Sequence, residues 1–494
     1  MVRTGFRLTA LIVASAMFME QLDGTVLATA LPTMARDFGI DPLRMSVALT
    51  AYLLSLAVFI PASGWVADRL GAKRVFAVAI VVFLLASALC GQAQSLAMLA
   101  VSRLVQGMGG AMMMPVGRLV LLRSVAKKDL VNAMSWLLVP ALIGPIIGPP
   151  LGGFFVTFLS WRWIFYINIP IGLVGVVLVL LFIDDAREAE NPPFDFVGFV
   201  LSGLSLAALV SAFEFASHPV VPVSAMLALA GFGLVTGVLY IRHAGRVAAP
   251  IIDLSLLRIP TFGLSLGAGS LTRITAGAMP FLLPMMMQLG FGMSAMQSGF
   301  VTFTGAAGSM LMKVAARPVL HRFGFRVTLM ANGLLATLCV TLAAAFRPSW
   351  PMLLIYAVLL AAGFLQSLQF TAYNTVAYAE IPRPRMSAAT SFYTTFQQLM
   401  LSAGICTASL ALAVSRMLQG HAVLQLSDFT AAFLTVGAIT LLAVPVCARL
   451  PAGAGDEIAG RIPPSPPDAA GPQRAASIAA ASSANPSAER ARVT

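Results

Sequence analysis

The chain has 494 residues, of which 59% are hydrophobic and only 10% charged, and its mean hydropathy is +0.90. Soluble domains carry roughly 25% charged residues, so this composition excludes a water-soluble enzyme or binding module and indicates an integral membrane protein. The net charge of +12 is scattered over short loops rather than gathered in a patch, which argues against a nucleic-acid partner.

Apolar runs separated by charge clusters and Pro/Gly loops predict fourteen helices, at 8–30, 46–67, 74–93, 97–119, 132–156, 163–183, 196–216, 222–241, 261–289, 295–315, 326–346, 350–375, 387–414 and 428–448. The runs lack the period-two alternation of a barrel. The first run follows MVRTGFR and is long and interrupted by acids, so it reads as an uncleaved span rather than a signal peptide. Arg69, Lys73, Arg74, Arg118, Arg123, Lys127 and Lys128 fall in alternate loops, with most other basic residues, whereas the remaining loops hold only Arg36, Arg44, Arg162, Arg347 and Arg416. The positive-inside rule then places both termini in the cytoplasm.

In the first span, FMEQLDGTVLATALP carries Glu20 and Asp23, three residues apart and therefore on one helix face. A charge in the bilayer costs several kcal/mol unless it is paired or hydrated. Two adjacent acids in a low dielectric resist double ionisation. The pair suits a proton site or a site for a cationic substrate, and an acid paired with Arg103 for packing is the structural alternative. Arg103 lies in LAVSRLVQGMGGAMMMP, with Gln106 one turn on, and Gly107, Gly109 and Gly110 permit close helix approach. The loop GWVADRLGAKRV holds Gly64, Asp68, Arg69, Gly71 and Arg74. A second copy, RPVLHRFGFRVT, lies 253 residues on: Arg69 matches Arg322, Gly71 matches Gly324, and His321 faces Asp68. An internal repeat of this kind is a transporter design. Gly71 suits a left-handed turn, and Asp68 can pair with Arg69 or Arg74 as a latch, or cap a helix.

The fifth span contains GPIIGPPLGG, where Gly144, Gly148 and Gly152 form a smooth stripe and Pro145, Pro149 and Pro150 remove backbone donors. Such a segment needs neighbouring helices to shield it. Glu214 and Arg273 are the other ionisable groups within spans; Arg273 either lines a cavity or snorkels to the inner surface. Gln366, Gln369, Asn374, Gln397 and Gln398 can hydrate a cavity or bond between helices, and Met285, Met286 and Met287 can form an adaptable apolar wall. The acidic stretch 184–195 reads as a linker, and 451–494, rich in Ala, Pro and Ser, as a disordered cytoplasmic tail. Cys90, Cys339, Cys406 and Cys447 lie in apolar runs without CxxC or Cys/His spacing, so neither a metal nor a cofactor is expected. No HExxH or P-loop is present, which leaves transport driven by an ion gradient.

Five segments in order carry a family likeness: LDGTVLATALP, GWVADRLGAKR, RLVQGMGGA, GPIIGPPLGG and WRWIFYINIP. They resemble the motifs of the major facilitator superfamily, and within it the fourteen-spanner drug:proton antiporters of the EmrB/QacA type. PASGWVADRLG, GGAMMMPVGRL and the surroundings of Arg273 are most similar to the MdtD group. The resemblance implies an all-α polytopic fold: a six-helix bundle over 1–190, an inserted helix pair over 191–246, a second six-helix bundle over 247–450, and the tail. It implies a monomer in the cell's inner membrane that exports hydrophobic, cationic drugs in exchange for protons by alternating access. Export of one dedicated metabolite, such as a siderophore, amino acid or sugar, is the alternative. A periplasmic adaptor enters by family analogy. By motif, Asp23 and Arg103 serve coupling, with Glu20 beside them. Gly64, Asp68, Arg69, Gly71 and Arg74 form the gating loop. Gly144, Pro145, Gly148, Pro149 and Gly152 form the antiporter kink. Gln106, Arg273, Gln366 and Gln397 are candidates for the substrate cavity.

Overall fold

The computed structural model describes residues 6–125, 130–183, 193–217, 221–451 and 453–461, and within them every regular element is helical. In chain order these are α1 (Phe6–Val26), α2 (Leu31–Phe38), α3 (Ser46–Leu70), α4 (Ala72–Gly91), α5 (Leu96–Ser124), α6 (Leu130–Phe158), α7 (Trp163–Tyr166) and α8 (Asn168–Phe182). Then follow α9 (Phe196–Ala216), α10 (Val223–Ala244), α11 (Pro260–Met285), α12 (Ala295–Ala344), α13 (Met352–Val376), α14 (Met386–Gln419), α15 (Leu426–Leu441) and α16 (Ala443–Cys447). Eleven helical stretches among the described residues are long and apolar enough to cross a membrane. Leu173, Val174, Val177 and Leu181 of α8, like Val314 of α12 and Leu353 of α13, are exposed large apolar side chains. So much outward apolar surface fits lipid, not water.

The 50-residue α12 is interrupted by non-helical backbone at Gly324, whose φ is +73°. Gly71, between α3 and α4, has φ +94°. These are the two glycines matched across the sequence repeat, and each takes a conformation that is costly for residues with a Cβ. Both turns are thus built the same way. Arg69 lies over the Trp65 ring at 5.7 Å, and Arg322 over Phe323 at 5.6 Å.

The first eight helices pack mainly among themselves: α1 lies on α6 and α8, and α5 on α3 and α4. The helices after 260 form a second group, with α12 on α13 and α15, and α14 on α11 and α15. The pair α9–α10 packs together and lays α9 against α3 and α14. The glycine stripe of α6 explains its grip on α1. A Cβ at Gly144 would meet Gln21 Cβ at 3.0 Å, and one at Gly148 or Gly152 would collide with Thr25 or Val26. The helix runs unbroken through Pro145, Pro149 and Pro150.

The two groups meet at the end carrying the loops near 30–45 and 286–294. Gln288 Nε2 donates to the carbonyl of Thr29 at 2.9 Å, and Arg416 Nη1 to Asp41 Oδ2 at 2.5 Å. Gly153 sits against Ala295, and Gly299 against Pro149, leaving no room for a side chain at either glycine. A large apolar core shared by both groups, including Leu22, Val26, Leu282, Met286 and Phe433, fills this end. Beyond residue 450, where loss of structure is expected, 453–461 forms hydrogen-bonded turns; Ala454 is buried beside Phe325 and Leu450. The rest of the tail, like most of the 184–195 linker, lies outside the described residues.

Candidate functional site

Asp23 is 1% exposed and sits at the centre of a closed polar network. Arg103 Nη1 donates to its Oδ2 at 2.5 Å. Gln106 Nε2 and Asn168 Nδ2 donate to its Oδ1 at 2.9 and 3.0 Å. Arg103 is wholly buried; its Nε donates to the Ala48 carbonyl at 3.1 Å, and its Nη1 also reaches Gln106 Oε1 at 2.7 Å. The guanidinium stacks on the Tyr52 ring at 4.3 Å. Ser87 Oγ accepts from Asn168 at 3.0 Å and donates to the Phe165 carbonyl at 3.0 Å. The network therefore ties α1, α3, α4, α5, α7 and α8 together. A buried ion pair with its remaining bonds filled is stable as a unit, and losing one partner leaves an uncompensated charge.

Glu20, one turn away on α1, is also buried, yet its Oε2 has no hydrogen-bond partner among the described residues. The two acids expected to act alike are thus in different environments. Asp23 is held by a guanidinium and two amide donors. Glu20 Oε2 can accept a proton without breaking a bond.

A cavity of about 400 Å³ lies between the two helix groups. Its wall includes Thr25 of α1 and Ala28 just beyond it, Pro145 and Pro149 of α6, Thr275, Met279 and Pro280 of α11, Ser309 and Lys313 of α12, and Gln366 and Phe370 of α13. This is the size and largely apolar character of a small-molecule site. Of the four cavity candidates, Gln366 lines it. Gln106 does not, because it is consumed by the Asp23 network. Gln397, on α14, is not among the lining residues. Arg273 neither lines the cavity nor snorkels: it is 2% exposed and lies behind the wall, 5.7 Å from the Phe370 ring.

The gating-loop residues gather at the α3–α4 turn. Asp68 and Arg74 both have interaction partners, Lys73 Nζ donates to the Leu180 carbonyl at 2.9 Å, and the space beside Gly64 is open. Glu214 of α9 accepts from Ser46 Oγ and, at 3.2 Å, from Cys406 Sγ, so it joins α3 to α14. Asn168, Ser87 and Tyr52 are site residues that sequence reasoning missed. Asn168 stands within WRWIFYINIP as the amide of an otherwise apolar turn, which was its one visible signal.

Comparison with known proteins agrees with this architecture. The family model of the Major Facilitator Superfamily matches residues 13–405. The chain is 36% identical to the putative multidrug resistance protein MdtD of Pectobacterium atrosepticum, over 92% of this chain and 95% of that one. It is 40% identical to the protein of the same name from Serratia proteamaculans, over 81% and 83%. Among solved structures, the nucleoside transporter NupG superposes with a TM-score of 0.62 at 16% identity, covering 90% of this chain and 98% of that one. A bacterial homologue of the human lysosomal transporter Spinster gives 0.59 at 14%, covering 93% and 98%. The chain belongs to the Major Facilitator Superfamily and is one of its multi-pass membrane transporters.

Proposed function

We propose that the chain is a proton-coupled antiporter of the inner membrane that exports small hydrophobic compounds by alternating access. One observation carries this reading: α1 holds both buried acids, and the chain directly after them places Thr25 and Ala28 in the wall of the cavity between the two helix groups. A proton gained or lost on α1 is thereby next to the substrate space. Asp23 serves as the fixed counter-ion of Arg103, and Glu20 as the carboxyl that exchanges the proton.

The reading divides the chain into bundles over 1–190 and 247–450 with an inserted pair over 191–246. Dividing α12 at Gly324 and admitting α6 and α11 as spans gives fourteen passes, with both termini cytoplasmic, in a protein that works as a monomer. The end sealed by Gln288–Thr29 and Arg416–Asp41 carries the loops poor in basic residues, so it faces the periplasm. The gating loop at Asp68–Arg74 lies at the opposite end.

The test is proton movement in energised inside-out vesicles on addition of a panel of lipophilic cations, neutral compounds and carboxylates. Wild type discharges the pH gradient with at least one compound, and Glu20→Gln binds that compound but leaves the gradient intact. A wild type silent to the whole panel, or full discharge by Glu20→Gln, contradicts the reading.

A further inference from the structure

Arg273 is a buried cation without a counter-ion among the described residues. No carboxylate reaches it among the described residues. Its Nε and Nη1 have no hydrogen-bond acceptor, and its Nη2 reaches only Asn374 Oδ1, at 3.4 Å. It is stacked on Tyr393 at 4.6 Å, and the hydroxyl of that tyrosine is its other polar neighbour. Burying a guanidinium with vacant donors costs several kcal/mol, and packing alone gives the site no return for that cost.

Its position supplies the missing context. The 253-residue offset that pairs Gly71 with Gly324 also carries Glu20 onto Arg273. The first helix of each group therefore presents, at the matching position of the repeat, an ionisable side chain with vacant polar atoms, acidic in one and basic in the other. Phe370, the ring beside Arg273, is part of the cavity wall, and Gln366 of that wall donates to the carbonyl of Thr272, at 3.4 Å. Among the described residues, the cavity's charged lining residue is Lys313, and no acid lines it. Such a chamber repels a cation on this side and attracts an anion.

We propose that Arg273 is an anion subsite of the central cavity, taking the carboxylate of an amphiphilic substrate whose apolar body fills the space between the helix groups. The vacant Nε and Nη1 supply donors to the carboxylate, Asn374 holds the far side of the guanidinium, and a turn of the Phe370 ring opens the path. The ligand pairs its carboxylate with a largely apolar body, because most of the wall is apolar and its polar side chains are few, among them Thr275, Ser309, Lys313 and Gln366. The proposal rests on the reading of this cavity as the transport pathway.

The probes are a dansyl-labelled long-chain fatty acid, its methyl ester, and ethidium, titrated into the full-length protein in nanodiscs. Wild type binds the acid roughly thirtyfold more tightly than the ester, the size of one buried charge-assisted contact. Arg273→Gln brings the acid to the level of the ester without weakening ethidium binding, and Arg273→Lys keeps part of the preference. Equal binding of acid and ester by wild type overturns the proposal. So does a uniform loss of all three probes in both variants, which marks Arg273 as a packing residue. Counterflow in proteoliposomes separates this from the transport reading. Acid bound through Arg273 but never moved leaves the subsite standing and defeats the transporter assignment of the cavity. Movement of ethidium alone, with the acid ignored, does the reverse.

Discussion

Arg103 and Arg273 are both buried, and both stack on a tyrosine, at 4.3 and 4.6 Å. Around Arg103 stand a carboxylate, an amide oxygen and a backbone carbonyl. Around Arg273, among the described residues, stand a distant amide oxygen and a tyrosine, and no carboxylate. The same residue type in the same kind of place therefore carries two different obligations. The first arginine is neutralised from within the protein and holds helices together. The second is left for something from outside. A buried charge by itself says little about role; the count of its filled donors says more.

The comparison predicts effects of opposite sign. Asp23→Ala strips Arg103 of its counter-ion and costs about 3–5 kcal/mol. It is read as a large fall in the unfolding midpoint and loss of transport, and Arg103→Met in the same chain recovers part of the stability. Ala276→Asp sets an acid one helical turn from Arg273, spaced as Glu20 and Asp23 are, at a position on the cavity wall. It should abolish the preference for carboxylates, roughly thirtyfold in affinity, while leaving the fold intact. Arg273→Gln removes an uncompensated charge and raises the unfolding midpoint of the unliganded protein, by about 1–2 kcal/mol. The smallest change is Asn168→Ala, which takes one of three donors from Asp23 and costs about 1 kcal/mol in the same melt. If Asn168→Ala is as damaging as Asp23→Ala, the amide rather than the ion pair holds the network.

The helices were legible because apolar runs of membrane length are separated by charges and by Pro/Gly loops. The repeat was legible in two short loops, and Gly71 and Gly324 share a left-handed backbone as that match requires. The partners within the site were harder to see. In a helix that is apolar on every side, no stripe marks which face looks inward, so Gln106 and Gln397 read as cavity groups when one is spent on Asp23 and the other is absent from the wall. Asn168 meets both Asp23 and Ser87 across long stretches of chain, and nothing local in the sequence announces that closure. The difference between Glu20 and Asp23 likewise depends on which neighbours arrive. The residues after 450 have a composition that predicts disorder, yet Ala454 finds Phe325, a contact invisible to composition.

The most direct test of the division between the two arginines is one thermal unfolding series on the full-length protein. It compares wild type, Arg103→Gln and Arg273→Gln, each with and without the dansyl-labelled fatty acid. The predicted result is a lower midpoint for Arg103→Gln that the acid still raises, and for Arg273→Gln an undiminished midpoint that the acid no longer moves. If the two variants fall together, and the acid shifts both or neither, the arginines do the same work and the account is wrong.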